Sequence, residues 1–281
     1  MHPVFREGLL KGKRAIVTGG GSGIGKEITL QMARLGAEVA ICGRKEEKLK
    51  KALKEFQKEN LKVIAHTCDI RDADSVENFV EWVIENLGGV DILVNNAGGQ
   101  FPSPVENMTP KGWAAVINNN LNGTFNVTWS VAKKWMIPHR YGKIINIVAN
   151  MWNGFPGLAH TGAARAGVVN LTMSLAIEWA QYNIRVNAVA PGTIATSGMK
   201  VYPREVVEMA REWIPLKRYG RAEEVAYAVI FLASPAGDFI TGETIRVDGG
   251  ESIYGNRWII PDNPEAKEES EKILQKVLQE E

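Results

Sequence analysis

The stretch that decides the fold is Ala15-Ile16-Val17 followed by Thr18-Gly19-Gly20-Gly21-Ser22-Gly23-Ile24-Gly25. An apolar strand runs here into a loop with five glycines, and an amphipathic helical pattern begins directly behind it. Glycines let the backbone approach a ligand closely, while free N–H groups and the positive end of a helix dipole face negative charge. The spacing is T-G-x-x-x-G-x-G rather than the usual G-x-G-x-x-G. The stretch predicts a binding site for a nucleotide diphosphate; the alternative is a purely structural turn.

The composition indicates one large core and almost no net charge. The chain has 281 residues, 45% of them hydrophobic, and a formal net charge of +1. This size fits a single α/β domain, and the balanced charge gives no attraction to nucleic acid or to a membrane surface. Cys42 and Cys68 each end a predicted strand, so we expect them to be reduced core residues. No apolar run approaches the length of a membrane span. We expect a cytoplasmic, soluble protein without a metal site.

Apolar strand runs alternate with segments of helical periodicity. Strands are predicted at 14–18, 37–42, 61–66, 91–95, 142–148, 183–189 and 243–247. Helices are predicted near 23–35, 45–59, 72–87, 110–136, 161–181 and 221–233. The alternation predicts an α/β fold with a single-domain, Rossmann-type, doubly wound parallel sheet of about seven strands. Ligands of such sheets bind at the carboxyl ends of the strands.

Two regions do not follow this alternation. Residues 196–220 lack a clean strand or a long helix, and we predict a mobile covering loop there. The tail at 254–281 is a C-terminal extension beyond a domain at 1–253. Its apolar residues repeat at helical spacing among Glu and Lys: Ile273, Leu274, Val277 and Leu278. The extension is therefore predicted to form a charged helix that packs on this subunit or on a neighbouring one.

Further motifs follow the later strands in order. They are Cys68-Asp69-Ile70, Asn95-Asn96-Ala97-Gly98, Asn120-Leu121-Asn122-Gly123-Thr124, Pro191-Gly192-Thr193-Ile194-Ala195-Thr196 and Asp248-Gly249-Gly250. With the glycine-rich loop, they resemble the classical short-chain dehydrogenases/reductases over nearly the whole chain. The resemblance implies a dinucleotide-binding reductase domain that assembles as a homodimer or homotetramer. It also implies that Asp69-Ile70 hold the adenine, that residues 95–98 steady the floor of the cofactor site, and that residues 191–196 hold the nicotinamide carboxamide.

The end of the second strand bears on the choice of cofactor. Gly43 stands where an enzyme that uses NAD offers an acidic side chain to the ribose 2′-hydroxyl. Arg44 and Lys45 follow it, and a guanidinium suits a contact with a 2′-phosphate. Cations are unfavourable at a helix N-terminus unless something offsets them. We therefore expect NADP(H) as the cofactor; the alternative is that both are ordinary solvated cations.

The helix after the fifth strand departs from the common pattern of this family. Typical members carry Tyr-x-x-x-Lys, and here Thr161 and Arg165 stand at those two positions. A ketone reductase must protonate an alkoxide, and a threonine hydroxyl is too weak an acid for that. Thr161 is predicted to be an N-cap. Arg165 is expected to hold the nicotinamide ribose hydroxyls as a fixed cation; the alternative is a salt bridge on the helix surface.

One segment points to a particular branch of the family. Residues 157–168 resemble the peroxisomal trans-2-enoyl-CoA reductases and, more loosely, the 2,4-dienoyl-CoA reductases. Met151 and Trp152 stand where the dienoyl reductases have a tyrosine. The resemblance implies an oxidoreductase of fatty acid metabolism that reduces the α,β double bond of a 2-enoyl-CoA, a small-molecule acyl thioester. The alternatives are a 3-oxoacyl or other carbonyl reductase and a catalytically silent nucleotide-binding protein.

Reduction of such a double bond needs hydrogen-bond donors for an enolate oxygen. Asn120 and Asn122 are candidates, since asparagine is a poor helix former and both lie inside a predicted helix; the alternative is a local helix distortion. His160, placed one residue before the predicted helix start, is a candidate to bind a thioester oxygen or a CoA phosphate, or to relay a proton. It is alternatively a capping or packing residue. With Arg165, these residues form the predicted catalytic set.

Overall fold

The computed structural model describes residues 4–202, 204–255 and 258–279. The strands are β1 (Arg14–Thr18), β2 (Glu38–Gly43), β3 (Val63–Thr67), β4 (Ile92–Asn95), β5 (Gly142–Ile147), β6 (Ile184–Pro191) and β7 (Thr244–Val247). The helices are α1 (Gly23–Arg34), α2 (Glu46–Lys58), α3 (Ala73–Leu87), α4 (Pro110–Ile117), α5 (Gly123–Val131), α6 (Ile137–His139), α7 (Ala159–Glu178), α8 (Arg204–Ala210), α9 (Ala222–Ala233), α10 (Glu251–Tyr254) and α11 (Pro264–Gln279).

The strands pair in the order β3-β2-β1-β4-β5-β6-β7, and every neighbouring pair is parallel. Within the described part of the chain, this is one seven-stranded sheet. The strand order reverses at β1, which has β2 on one side and β4 on the other. A crevice opens outside the carboxyl ends of the strands at such a point. The predicted doubly wound Rossmann-type fold is confirmed.

The core lies on both faces of the sheet. On one face, α1 and α9 pack on the strands through buried residues such as Ile28 and Ile230. On the other face, α3 and α5 do so through residues such as Phe79 and Val127. Because helices cover both faces, the central strands are apolar along their length instead of alternating. No helix in the described ranges is long and apolar enough to cross a membrane.

The predicted helix at 110–136 is interrupted in the structure. After α4, residues Asn118–Asn122 form a wide π-type turn, and a second one spans Ala132–Met136. Such turns contain one more residue than a regular helical turn and occur often at functional sites. Asn120 and Asn122 therefore lie in the first of these turns, so the helix distortion named as the alternative to a functional role is present at this place.

The start of α7 corrects two predictions. The helix begins at Ala159, with Leu158 at the cap position and no side-chain capping bond. Thr161 is thus inside the first turn and is not the N-cap, and His160 is a helical residue instead of one preceding the helix. The physical reason is that Nδ1 of His160 accepts the hydrogen bond of the Thr161 backbone N–H at 2.8 Å. The imidazole thus accepts a backbone N–H of the first turn, as the hydroxyl of a capping residue would.

The region at 196–220 is more regular than the predicted loop. It contains a 3₁₀ turn at Ser197–Val201, helix α8 and another 3₁₀ turn at Arg211–Trp213. We call residues 196–202 and 204–220 the covering segment. The C-terminal extension forms α11, which packs on the covering segment of the same chain.

An ion pair between β1 and the start of β4 ties the middle of the sheet together. Asp91 accepts hydrogen bonds from Nε and Nη2 of Arg14 at 2.8 and 2.9 Å and from the Arg14 backbone N–H at 2.9 Å. Burial by itself raises the pKa of the Asp91 carboxyl, but the bonds from Arg14 outweigh it and hold the pKa below its ordinary value. The carboxylate therefore stabilises the folded state where it is ionised.

We expect Asp91→Asn to lower the free energy of unfolding at pH 7 by about 1–3 kcal/mol, since the variant leaves the partly buried Arg14 donors poorly paired. Because the folded-state pKa is depressed, the contribution of Asp91 is present above about pH 4 and is lost as the pH falls. Urea unfolding at pH 7 and pH 3 measures both effects. Glu46→Gln, in the exposed Glu46–Lys50 pair, is the control and should leave stability unchanged. Equal losses in both variants would contradict this role.

Candidate cofactor and substrate site

A cleft of about 490 Å³ lies at the carboxyl ends of β1, β2 and β4, where the strand order reverses. It is lined by many of the residues predicted to bind the cofactor: Gly19, Ser22, Gly23, Ile24, Gly25, Arg44, Asp69, Ile70, Asn96, Ala97, Gly98 and Thr196. It is also lined by residues for which no contact was predicted: Cys42, Gly43, Lys48, Cys68, Asn119, Ser197 and Gly198. The structure thus brings together motifs that are far apart in the sequence.

Several predicted residues do not line this cleft: Thr18, Gly21, Lys45, Arg165, Pro191, Gly192, Thr193 and Ile194. Thr18 acts from behind the cleft. Its hydroxyl accepts the backbone N–H groups of Asn96 and Ala97 at 3.0 and 2.9 Å, and the Asn96 amide donates to the Thr18 carbonyl at 2.9 Å. These bonds join the ends of β1 and β4 and fix the floor of the cleft.

The start of α1 has the features of an anion site. Ser22 is at the cap position but makes no side-chain capping bond, whereas Asp72 and Thr109 do cap α3 and α4. The first turn of α1 also contains no acidic residue. Its first backbone N–H groups therefore stay available at the positive end of the helix dipole. Gly23, at φ +54°, takes a backbone conformation that side chains disfavour, so glycine is needed here.

Charged side chains line the end of the cleft next to β2 and β3. Arg44, directly after β2, and Lys48, on α2, line it. Both carboxylate oxygens of Asp69 accept from Arg71, and this pairing, helped by the charge of Arg44, lowers the pKa of Asp69. Since the Asp69 carboxylate is already paired, Arg44 and Lys48 are the cations at this end best placed to meet a phosphate.

Arg165 is a buried cation on α7. It donates from Nη1 to the carbonyl of Ile147 at 2.9 Å, and no carboxylate in the described ranges pairs with it. Burial lowers the pKa of the Arg165 guanidinium to about 10, so it remains charged at neutral pH. A Cβ placed on Gly98 would collide with this guanidinium, so Arg165 lies directly against the cleft floor. The alternative of a surface salt bridge is therefore wrong.

His160 lies five residues before Arg165 on α7 and is fully buried. Because Nδ1 accepts from Thr161, the proton is assigned to Nε2, and this atom has no partner among the residues described. The ring packs edge to face with Phe101 at a centroid distance of 4.8 Å. A buried donor without an acceptor costs about 1–3 kcal/mol, so this geometry favours an acceptor supplied by a ligand.

The two candidate asparagines have different environments. Asn120 is buried, and its amide donates to the carbonyls of Gly99 and Val116 at 2.7 and 2.9 Å. Asn120 thus holds the loop after β4 at Gly99 with one N–H group and bonds back to α4 with the other. Asn122 is exposed and donates to the side chain of Asn118 at 2.7 Å. The structure does not bring Asn122 to the cleft.

The loop after β6 is held by a residue that the sequence did not single out. Glu251, at the start of α10, accepts the backbone N–H of Thr193 at 2.9 Å and its hydroxyl at 3.2 Å. Burial raises the pKa of the Glu251 carboxyl. The only signal in the sequence is its position after Asp248-Gly249-Gly250, because the contact joins segments 58 residues apart.

The strand order and the uncapped start of α1 are those of a dinucleotide-binding fold, and the buried cation Arg165 lies behind the cleft floor at Gly98. Residues 19–252 match the sequence profile of a family described as enoyl-(acyl carrier protein) reductase. The chain belongs to the short-chain dehydrogenase/reductase family, as the sequence motifs indicated.

The relatives of this chain have different activities. A protein of Bacillus subtilis (strain 168) named probable 2,4-dienoyl-CoA reductase is 39% identical, over 85% of this chain and 96% of its own length. A 3-oxoacyl-[acyl-carrier-protein] reductase of Thermotoga maritima is 42% identical, over 86% of this chain and 98% of its own. The structure of a citronellol catabolism dehydrogenase of Pseudomonas aeruginosa PAO1 is 44% identical, with a TM-score of 0.81 over 90% of this chain and 100% of that chain. The reaction must therefore be inferred from the site.

Two glycines of the first loop give a matched test of the cofactor cleft. We expect Gly25→Ala to weaken binding of the nicotinamide dinucleotide by about tenfold or more, since the new Cβ would overlap the Asn96 amide and the Gly19 carbonyl. Gly21→Ala is the control, because its Cβ would make ordinary contacts with α2 at 3.4 Å and beyond. Fluorescence titration with the reduced dinucleotide measures both. Equal affinities in the two variants would show that the close packing of Gly25 on Asn96 and Gly19 is not needed for binding.

Proposed function

We propose that the protein is an NADP(H)-dependent reductase of the α,β double bond of a 2-enoyl-CoA. The observation that carries the proposal is the pair of side chains on the first turns of α7. Thr161 and Arg165, both buried, occupy the positions at which family members place a phenol and an ammonium. The site therefore contains a fixed cation and a neutral donor, His160, but lacks the usual acid for an alkoxide.

The residues present fit a bound dinucleotide. The free N–H groups of α1 suit its diphosphate, Arg44 suits a 2′-phosphate, and Arg165 suits the ribose hydroxyls beside the nicotinamide. When bound, the reduced cofactor supplies a hydride. Adenine contacts from Asp69-Ile70 and carboxamide contacts from residues 191–196 belong to the same proposal, with Glu251 holding the latter loop in place.

The chemistry of an enoyl thioester suits these side chains. Hydride adds to Cβ, the electrons of the double bond move to the thioester oxygen, and a proton then adds to Cα. The negative charge on that oxygen needs oriented donors in a dry site. Nε2–H of His160 is buried and without a partner, so it is the donor that we assign to this oxygen. Asn120 is a positioning residue, since its amide holds the loop at Gly99.

We expect oxidation of NADPH, followed at 340 nm, to be at least about tenfold faster with a short or medium 2-enoyl-CoA than with the matching 3-oxoacyl-CoA. His160→Phe keeps the packing against Phe101 but removes the donor, and should lower kcat by roughly tenfold to a thousandfold. His139→Phe, at an exposed histidine stacked on Trp135, is the control and should leave kcat unchanged.

Two results would overturn this assignment. Faster reduction of the 3-oxoacyl-CoA would show that the protein is a carbonyl reductase. Binding of NADPH with no turnover of either thioester would show a catalytically silent nucleotide-binding protein.

The 2′-phosphate contact is tested through Arg44. We expect NADPH to bind at least about tenfold more tightly than NADH, because a charge-assisted contact contributes about 1.5–3 kcal/mol. Arg44→Asp should reverse this preference. Lys54→Asp changes the charge equally at an exposed position of α2 that does not line the cleft, and it should keep the preference. Equal affinities of the unmodified protein for NADPH and NADH would exclude the contact.

We also propose that the protein works in the cytoplasm as a homodimer or homotetramer. Both cysteines are free and buried, which suits a reducing compartment. Large apolar side chains are exposed on α4, α5 and α7: Trp113, Phe125, Trp129, Met173 and Ile177. A second copy of the chain would cover this apolar surface. Light scattering at micromolar concentration should show at least a dimer, and a monomer would contradict the proposal.

A further inference from the structure

The C-terminal helix lies outside the part of the chain that defines the family. The family match ends at residue 252, and α11 begins at Pro264. It does not pack in either of the two large clusters on the faces of the sheet. It packs instead on the covering segment, in a separate apolar cluster. The described apolar cluster that contains side chains of α11 is the one formed with the covering segment, and that segment borders the cleft.

Leu274 is the centre of the apolar contact between α11 and the covering segment. It is buried in a cluster formed by Met199, Val207, Ile214 and Tyr219. Ile273 and Val277 pack against the same cluster from α11. Because these side chains of the covering segment are shielded by α11, loss of the helix would expose them to water.

Polar contacts fix the same helix to the end of the covering segment. The Ser270 hydroxyl accepts the backbone N–H of Tyr219 at 3.2 Å, and both residues are buried. The Glu269 carboxylate lies 3.8 Å from Arg218 at the end of the segment, and it accepts at 2.8 Å from Arg221, which follows the segment at the start of α9. The segment is therefore held by α11 through a neutral bond, an ionic contact and apolar packing.

The other side of the covering segment borders the cleft. Ser197 and Gly198 line it, and Thr196 lies against Gly23 at the start of α1. The Tyr202 hydroxyl accepts from the Gln100 amide at 2.5 Å, which joins the segment to the loop after β4. The covering segment thus spans from the cleft to α11.

We propose that α11 is a brace that holds the covering segment against the loop after β4, where Gln100 bonds Tyr202 and the next residue, Phe101, packs on His160, and that it so sets the affinity for the acyl substrate. Leu274, Ser270 and Glu269 are positioning residues in this account, since they act through the segment. The kinetic part of the idea rests on the proposed function, whereas the conformational part does not.

Limited proteolysis of the purified full chain tests the conformational part. Lys200, Arg204 and Arg211 supply trypsin sites in the covering segment. Leu274→Ser should speed cleavage there by about tenfold or more, because the variant removes a buried apolar side chain from the contact between α11 and the segment. Ser270→Ala should give a smaller increase. Glu268→Gln, in the exposed Glu268–Lys272 pair on the same helix, is the matched control and should leave cleavage unchanged.

Kinetics separate this role from general damage to the fold. For Leu274→Ser we expect KM for a 2-enoyl-CoA to rise about fivefold or more, with kcat close to that of the unmodified protein. The Kd for NADPH should rise less than KM, because only the first residues of the segment line the cofactor cleft. Cleavage of Leu274→Ser at the rate of Glu268→Gln would overturn the proposal. So would loss of NADPH binding in Leu274→Ser, since α11 would then support the whole fold. If the unmodified protein does not turn over the enoyl-CoA, the proposed function is wrong. The proteolysis then still shows whether α11 holds the covering segment in place.

Discussion

The free N–H groups at the start of α1 are the constraint on which the site depends. They stay free because Ser22 does not cap the helix, and they lie where the strand order reverses. The hydroxyl of Thr18 holds the floor beside them by accepting from Asn96 and Ala97. A helix start with unpaired donors and no acidic residue is stable in contact with water or an anion. The fold thus places a positive potential where a dinucleotide diphosphate would lie.

Arg165 and His160, on α7, are two further buried groups that lack a full set of partners among the residues described. A buried guanidinium without a carboxylate and a buried imidazole N–H without an acceptor are both costly in a folded protein. They lie on successive turns of α7, next to the floor at Gly98 and the aromatic ring of Phe101. Ligand oxygens would satisfy both groups. Donors of this kind stabilise negative charge on an oxygen but do not replace a phenol as an acid.

The sequence predicted the fold well, because strand and helix periodicity and the glycine-rich loop are local signals. It failed for residues whose position and partners depend on contacts formed in the folded chain. Thr161 looked like a cap, but the neighbouring imidazole of His160 accepts its backbone N–H instead. Asn122 looked equivalent to Asn120, yet the wide turn at Asn118–Asn122 leaves one exposed and the other buried. The contact of Glu251 with Thr193 was missed, since the position of Glu251 after Asp248-Gly249-Gly250 does not indicate a partner 58 residues away.

The central claim is that this site stabilises negative charge on a thioester oxygen while hydride adds to Cβ. The most direct test is to follow the transferred hydrogen. The protein is incubated with NADPH that carries deuterium at the transferred position of C4 and with a 2-enoyl-CoA in ordinary water, and the product is analysed by NMR. The account predicts deuterium on Cβ and a hydrogen from water on Cα. Deuterium on Cα, or on the former thioester carbon, would contradict it.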